Sequence, residues 1–235
     1  MKKVAILQSN YIPWRGYFDF INSVDLFVFF DDVQYTRRDW RSRNKIKTAQ
    51  GPIWLTVPVL FSQAEPTAVN QTRIDYSSNW RTKHLRSVEQ SYSAAPFFKN
   101  YFDKYAECIN RDADTISKLN QTLIRWICGE LAITTELIDS QMLSPQGQKT
   151  DRLLDILSKV GATTYISGPA AKDYIENDKF KTKSIGLQYK TYVYKPYPQL
   201  YGEFEGSVTV LDLLFNCGPE SRSFLSSETP NEVTC

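Results

Sequence analysis

The sequence predicts an α/β protein built on a mostly parallel, Rossmann-like sheet with a helical insertion. Three observations carry this. VAILQ (Val4–Gln8) and DLFVFFD (Asp25–Asp31) are short, nearly continuous apolar runs, the pattern of strands covered on both faces. The stretch between them, SNYIPWRGYFDFINS, breaks at Pro13 and Gly16 and then spaces Tyr17, Phe20 and Ile21 as a helix does. Strand, helix and strand in succession make a βαβ unit, and 235 residues suit one large domain of that kind.

The remaining elements follow in order. IWLTVPV (Ile53–Val59) reads as a strand, with Pro58 marking an edge or an early end. Three helical patterns fill about 79–131. Trp80, His84 and Val88 share one face of the first; Phe98, Tyr101, Phe102 and Tyr105 mark the second; Ile116, Leu119, Leu123 and Ile127 mark the third. TTELIDS returns to strand. Thr150 is the expected cap of a helix carrying Leu153, Ile156, Leu157 and Val160, stopped by Gly161. TTYISG and LQYKTYVY are further strands, and SVTVLDLLFNCG is a closing helix. The expected organisation is one domain over 1–225 with the helical insert inside it, then a frayed tail over 226–235.

Net charge is +2, but Arg37–Lys47 alone carries six cations against Asp39. The rest of the chain is therefore near −3, which disfavours a general nucleic-acid binder and makes the local patch the exception. Cys108, Cys128, Cys217 and Cys235 include no C-x-x-C pair, so no zinc site is expected. Lys2-Lys3 leads only into Val4–Leu7 before polar residues, and no apolar stretch is long enough to span a membrane. The expectation is a cytoplasmic protein with reduced thiols. The sequence sets no oligomeric state.

Several constellations point to chemistry. Asp31 and Asp32 leave the carboxyl end of a strand, where open α/β sheets collect ligands, with Gln34 just beyond. They suit Mg²⁺ or a general base; equally, Asp31 caps the turn and Asp32 is solvated. The basic run, with Arg41, Arg43 and Asn44 beside Tyr35 and Trp40, suits a nucleotide, a nucleotide sugar or a lipid diphosphate; equally, it is a solvated loop. His84, the single histidine, is either a general base or a packed core residue. Asp212 and Asn216 share a stripe on an otherwise apolar helix, so they need partners in a loop or a cleft. Ser167-Gly168 follows a strand and offers backbone N–H groups to a phosphate.

Taken together, QSNYIPWRGYFDFINSVDLFVFFDDVQYTRRDWRSRNKI, WLTVPV, NWRTKHLRSVEQSY with APFF, GATTYISGPAAKDYI and YPQLYGEFEGSVTVLDLLFNCG resemble the WbqC-like protein family, from about Val4 to Gly218. The family pattern includes the positions held here by Gln8, Pro13, Gly16, Tyr17, Asp31, Gln34, Tyr35, Arg43, Trp80, His84, Ser167, Gly168, Gln199, Asp212 and Asn216; Ser9 departs from it, where proline is usual. The resemblance implies a setting in O-antigen and other surface-polysaccharide synthesis, and a transferase placing glycine on an amino sugar. On that reading His84 is the base, with Asp31 or Asp212 orienting it or acting instead. Arg43, Asn44 or the Ser167-Gly168 backbone supplies the oxyanion donors, while the basic run, Arg41 included, holds a diphosphate. Gln8 joins the substrate contacts, and Tyr11, Trp14 and Tyr35 stack on a sugar or base. The acceptor is a nucleotide-linked or lipid-linked amino sugar. The donor stays open among glycine with ATP and Mg²⁺, a thioester and glycyl-tRNA, the last not favoured.

A second likeness concerns YIPWRGY, Tyr11–Tyr17, which is similar in place to the P-x-H-x-G-H type motif of nucleotidyltransferases and class I aminoacyl-tRNA synthetases, the HUP type of fold, with Trp14 and Tyr17 in the histidine places and Gly16 in that of the glycine. It implies a phosphate-cradling turn with altered use. Two other readings stand beside glycyl transfer: a metal-dependent nucleotidyl- or glycosyltransferase using Asp31 and Asp32, and a non-catalytic module binding nucleotide sugars or RNA.

Overall fold

A computed structural model describes residues 1–234, so Cys235, the end of the expected tail, lies outside the described residues. The chain forms β1 (Lys3–Leu7), α1 (Arg15–Asn22), β2 (Leu26–Phe29), the hairpin β3 (Arg43–Thr48) and β4 (Gly51–Thr56), then α2 (Trp80–Tyr92), α3 (Phe98–Asn110) and α4 (Ile116–Glu130). There follow β5 (Glu136–Asp139), α5 (Lys149–Lys159), β6 (Thr164–Ser167), α6 (Asn177–Thr182), β7 (Gly186–Tyr189), α7 (Val210–Cys217) and β8 (Glu232–Val233).

Six strands make one sheet in the order β5-β2-β1-β6-β7-β8. All neighbours are parallel except β8, which runs antiparallel to β7. The sheet is thus mostly parallel and Rossmann-like, as the apolar runs predict. The chain winds outward from β1 in both directions, so strand order reverses between β1 and β6.

Period-two alternation explains why both faces are covered. Ala5, Phe27 and Phe29 join one core with Tyr17, Phe18, Phe20 and Ile21 of α1 and the apolar stripes of α3, α4 and α7. Val4, Ile6, Leu26 and Val28 join the other with Leu153, Ile156 and Leu157 of α5 and Phe180 of α6. Every residue of α7 is buried, Asp212 and Asn216 included.

Four details differ from the sequence reading. The second half of the basic run is not a loop but β3: Asn44 and Ile46 are buried while Arg43 and Lys45 are half-buried, an alternation in which cations fill the polar places. Gln148, not Thr150, caps α5; the Thr150 hydroxyl accepts instead from Glu176 N at 3.3 Å. LQYKTYVY is strand only to Tyr189, because Lys190 turns inward to a buried ion pair with Asp19 of α1 at 2.8 Å. Part of the expected frayed tail is ordered, with Glu232 and Val233 opposite Tyr189 and Gln188.

At Gly16 the Trp14 ring occupies the place of a side chain: an added Cβ would lie 2.4 Å from it. Helix propensity alone would favour Gly16→Ala by up to ~1 kcal/mol. The clash should reverse that sign and cost about 1–3 kcal/mol in urea denaturation. In a Trp14→Ala background the same change should stabilise; a destabilisation there would show that Trp14 is not the obstacle.

Candidate functional site

The loop from Gln8 to Trp14 joins the carboxyl end of β1 to α1. It is largely buried, and Ile12 sits at φ +40°, a region few L-residues adopt. A buried loop must find partners for its backbone polar groups. Tyr17 Oη donates to Gln8 O at 3.0 Å. Ser9 N donates to Asp31 Oδ1 at 2.7 Å, and Asn120 Nδ2 donates to Ser9 O at 3.3 Å. Asn44 Nδ2 reaches Tyr11 O at 3.2 Å and Ile12 O at 2.7 Å. Tyr11 N donates to Trp40 O, and Pro13 O accepts from Val210 N.

His84 completes this set. Its Nε2 faces Thr56 O at 3.1 Å, an atom that can only accept, so Nε2 carries the proton and Nδ1 accepts from Tyr11 Oη at 2.7 Å. Burial lowers its pKa to about 4, despite the opposing bond to Thr56. The ring is neutral with both nitrogens engaged. The expected general base is therefore a strut between the β1–α1 loop and the end of β4.

The expected carboxylates are also committed. Asp31 Oδ2 accepts from Ser117 Oγ at 2.5 Å, and burial raises its pKa against its own hydrogen bonds. Asp32 turns elsewhere, to Ser140 Oγ at 2.6 Å and Arg152 Nη2 at 2.5 Å. Asp31 ties the loop to α4 and Asp32 pairs with α5, so they do not share a cation. Among the described residues no cluster of three or more His, Cys, Asp and Glu has metal-binding geometry. Asp212 accepts from Tyr92 Oη at 2.9 Å and Gln199 Nε2 at 2.7 Å, while Asn216 Nδ2 bonds back to Asp212 O at 2.8 Å. Lys47 Nζ donates to Gln199 Oε1 and Glu203 O, so this buried network anchors the segment around 199–209 against β3.

Open space lies at the hairpin. One cavity of about 340 Å³ is lined by Asn10, Pro13, Trp14, Trp40, Asn44 and Ser207. It carries no charge, and Trp14 and Trp40 give it aromatic walls. A second, of about 460 Å³, holds Arg37, Arg38 and Arg43 with Tyr35, Ser42 and a wall of Thr56, Val57, Pro58, Val59 and Phe61. None of the three arginines makes an ion pair among the described residues, and no carboxylate lines the cavity. Asp39, the one acid nearby in sequence, pairs with Arg41. Consecutive residues serve the two cavities: Arg43 lines the second and Asn44 the first.

Of the expected binding residues, Trp14, Tyr35, Arg43 and Asn44 line these cavities. Tyr11 is fully buried and cannot stack on a ligand, while Gln34 is exposed and bridges Ala68. Arg41 braces the site, its carbonyl accepting from Asn120 Nδ2 at 2.8 Å. Ser167 lies where strand order reverses, but a strap from β7 bridges that edge. Lys190 N donates to Ser167 O, and Arg15 Nη1 holds Lys195 O at 2.7 Å. Beside Gly168, the Ser167 hydroxyl turns to Tyr165 Oη at 3.3 Å. The WRGY turn is likewise closed, by the Trp14 ring over Gly16. Sequence reasoning missed Asn10, Ser207 and the wall of Val57, Pro58, Val59 and Phe61, which no local pattern marks.

The profile of the WbqC-like protein family matches residues 8–224, which span the loop, both cavities and the Asp212 network. The chain belongs to the WbqC-like protein family. It is 45% identical over 227 residues, 96% of this chain and 98% of the relative, to the uncharacterized protein Rv1507c of Mycobacterium tuberculosis (strain ATCC 25618 / H37Rv). No solved structure matches. In this WbqC-like protein the residues that look most chemical are, by their bonding, the framework of the cavities.

Two outcomes follow for the framework. Asp31→Ala should cost about 1–3 kcal/mol, because Ser9 N is left buried without an acceptor. Unfavourably placed active-site charges often give stability back on removal, so a gain in urea denaturation would return Asp31 to the catalytic role. For His84, the unfolded ring titrates near 6.5 and the folded ring near 4. Between those values the unfolded state binds the extra proton, so stability falls as pH drops through that window, by at most about 3 kcal/mol from this group. Asp31 and Asp212, raised by burial, act in the opposite sense. The difference in pH slope between wild type and His84→Gln isolates the histidine; equal slopes from pH 4.5 to 7 would show that its ring is not held neutral.

Proposed function

We propose that this WbqC-like protein holds a diphosphate-linked amino sugar across its two cavities and acylates the sugar's amine, with glycine the first acyl group to test. The observation that carries the reading is a pair of cavities served by consecutive residues of β3: one is lined by Arg37, Arg38 and Arg43, none in an ion pair among the described residues, and the other is uncharged and walled by Trp14 and Trp40. Guanidinium forks match phosphate oxygens in number and geometry. Indole faces suit the C–H surface of a sugar ring or a base, and the neighbouring amides and hydroxyl give it direction. The side chains of Asn10 and Ser207 make no hydrogen bond among the described residues, so both are free for a ligand. The surface-polysaccharide setting implied by the family resemblance supplies the amino sugar and the transfer.

In the transfer, the amine lone pair attacks an activated carbonyl, the tetrahedral intermediate expels the donor's leaving group, and one proton leaves the nitrogen. Neither cavity is lined by a carboxylate or an imidazole. The amine must therefore arrive neutral or lose its proton to water or to the leaving group. Asn10 and Ser207 are the oxyanion donors this arrangement offers.

Calorimetric titration with UDP-amino sugars tests the binding. Arg43→Ala and Arg37→Ala should each weaken it by roughly 10- to 150-fold, the worth of one charge-assisted contact. Trp14→Ala should weaken it with UDP itself less affected. Mass spectrometry of the sugar, with glycine and ATP–Mg²⁺, glycyl thioester or glycyl-tRNA as donor, then reads the reaction. The rate should rise with pH along the ionisation of the acceptor amine, and His84→Gln should leave that midpoint in place. Tight binding without acylation from any donor would reduce the protein to a sugar-diphosphate binding module; no binding would remove the reading altogether.

A further inference from the structure

We propose that the outer face of the β3–β4 hairpin is a membrane-contact surface for an anionic bilayer, which makes the sugar diphosphate lipid-linked. The second half of this statement rests on the ligand reading above; the first half does not.

On an antiparallel hairpin, cross-strand partners project to the same face, and here Lys45 lies opposite Trp54 and Arg43 opposite Thr56. Trp54 is 43% exposed and Trp40, 45% exposed, lies against it with ring centroids 5.5 Å apart. Arg43 and Lys45 sit 4.2 and 5.1 Å from the Trp54 ring centroid. Leu60 is 55% exposed between Val59 and Phe61, which line the arginine cavity. The fold thus leaves three large apolar side chains, Trp40, Trp54 and Leu60, exposed around the basic residues. Around them stand Arg37, Arg38, Arg43 and Lys45, none in an ion pair among the described residues.

This composition fits a headgroup layer. Indole settles at the boundary between polar and apolar phases, aliphatic tips enter it, and cations meet anionic lipid. A soluble nucleotide sugar would need the arginines but not the apolar rim. Charge also orients the molecule, because the chain outside Arg37–Lys47 is near −3 and is repelled by the same surface. Trp40 belongs both to the patch and to the uncharged cavity, and Arg43 both to the patch and to the arginine cavity. A protein lying on this face brings both cavities to headgroup depth, where a lipid-linked diphosphate sits. No membrane-crossing helix is needed, and among the described residues none is long and apolar enough to be one.

The test is co-sedimentation of the full chain with vesicles of phosphatidylcholine alone or with about one-third phosphatidylglycerol, an anionic fraction of physiological order. Binding should require the anionic lipid, fall with added salt, and shift tryptophan emission to the blue. Leu60→Ser should lower partitioning several-fold, and Lys45→Glu about tenfold or more. None of these residues lines either cavity, so UDP-amino-sugar titrations of the variants should match wild type and also report folding. No partition to anionic vesicles, or partition unchanged in both variants, overturns the surface while leaving any measured sugar binding intact. Partition without any sugar-diphosphate binding keeps the surface and removes only the lipid-linked ligand.

Discussion

The architecture depends on satisfying one buried loop. Gln8 to Pro13 leaves the carboxyl end of the central strand and is packed under the hairpin and α7 instead of lying on the surface. Each buried N–H or C=O left without a partner would cost on the order of 1–3 kcal/mol. The chain answers with side chains drawn from five separate places: Tyr17, Asp31, Asn44, His84 and Asn120. Those contacts bring β2, β3, α2 and α4 to one point, and the hairpin is thereby fixed against the sheet. Both cavities are consequences of that fixing, since Asn10, Pro13 and Trp14 come from the loop and Arg43 and Asn44 from the strand it holds.

A polar side chain in an apolar setting must be explained, and catalysis is only one explanation. Asp212 shows the other. It lies on a wholly buried helix, and its oxygens are filled by Tyr92 and Gln199. Gln199 in turn takes Lys47, so a buried cation and a buried carboxylate communicate through one amide. The network holds the segment that carries Ser207 to the first cavity. Arg15 plays a similar part at the sheet edge: it is buried beneath Tyr194, Tyr197 and Phe204 and spends its guanidinium on two backbone carbonyls. In both places charge is used to fasten irregular chain where no sheet or helix supplies the bonds.

Apolar runs made the sheet legible, because strands buried on both faces have no other composition. Helical spacing exposed α2, α3 and α4 for the same reason. The hairpin was half hidden: β3 alternates half-buried and buried residues from Arg43 to Ile46, but Arg43, Lys45 and the buried Lys47 together read as a charge run. The site was legible in part. Arg43, Tyr35, Trp14 and Asn44 stood out by type and company. Asn10 and Ser207 did not, since they meet only in space, across the sequence from the loop to the far side of β7. His84 and Asp31 stood out for the right physical reason, burial of a titratable group, but burial cannot tell a base from a strut. Their partners can, and partners are a tertiary fact.

The location of the cavities follows from what became of the usual one. In doubly wound sheets a ligand enters where strand order reverses, here between β1 and β6. In this chain the strap after β7 crosses that place, fastened by the Lys190–Asp19 ion pair and the Lys190 N–H on Ser167. A ligand there would have to displace a buried ion pair, a costly exchange because each charge would lose its partner. Arg37, Arg38 and Arg43 meet no such cost: among the described residues none of them has an ion pair to lose. An anion arriving at Arg37, Arg38 and Arg43 gains contacts without breaking any in the protein, and the strand alternation that turned Arg43 outward turned Asn44 inward to hold the loop. One six-residue strand therefore decides both where the framework is tied and where the free charge faces.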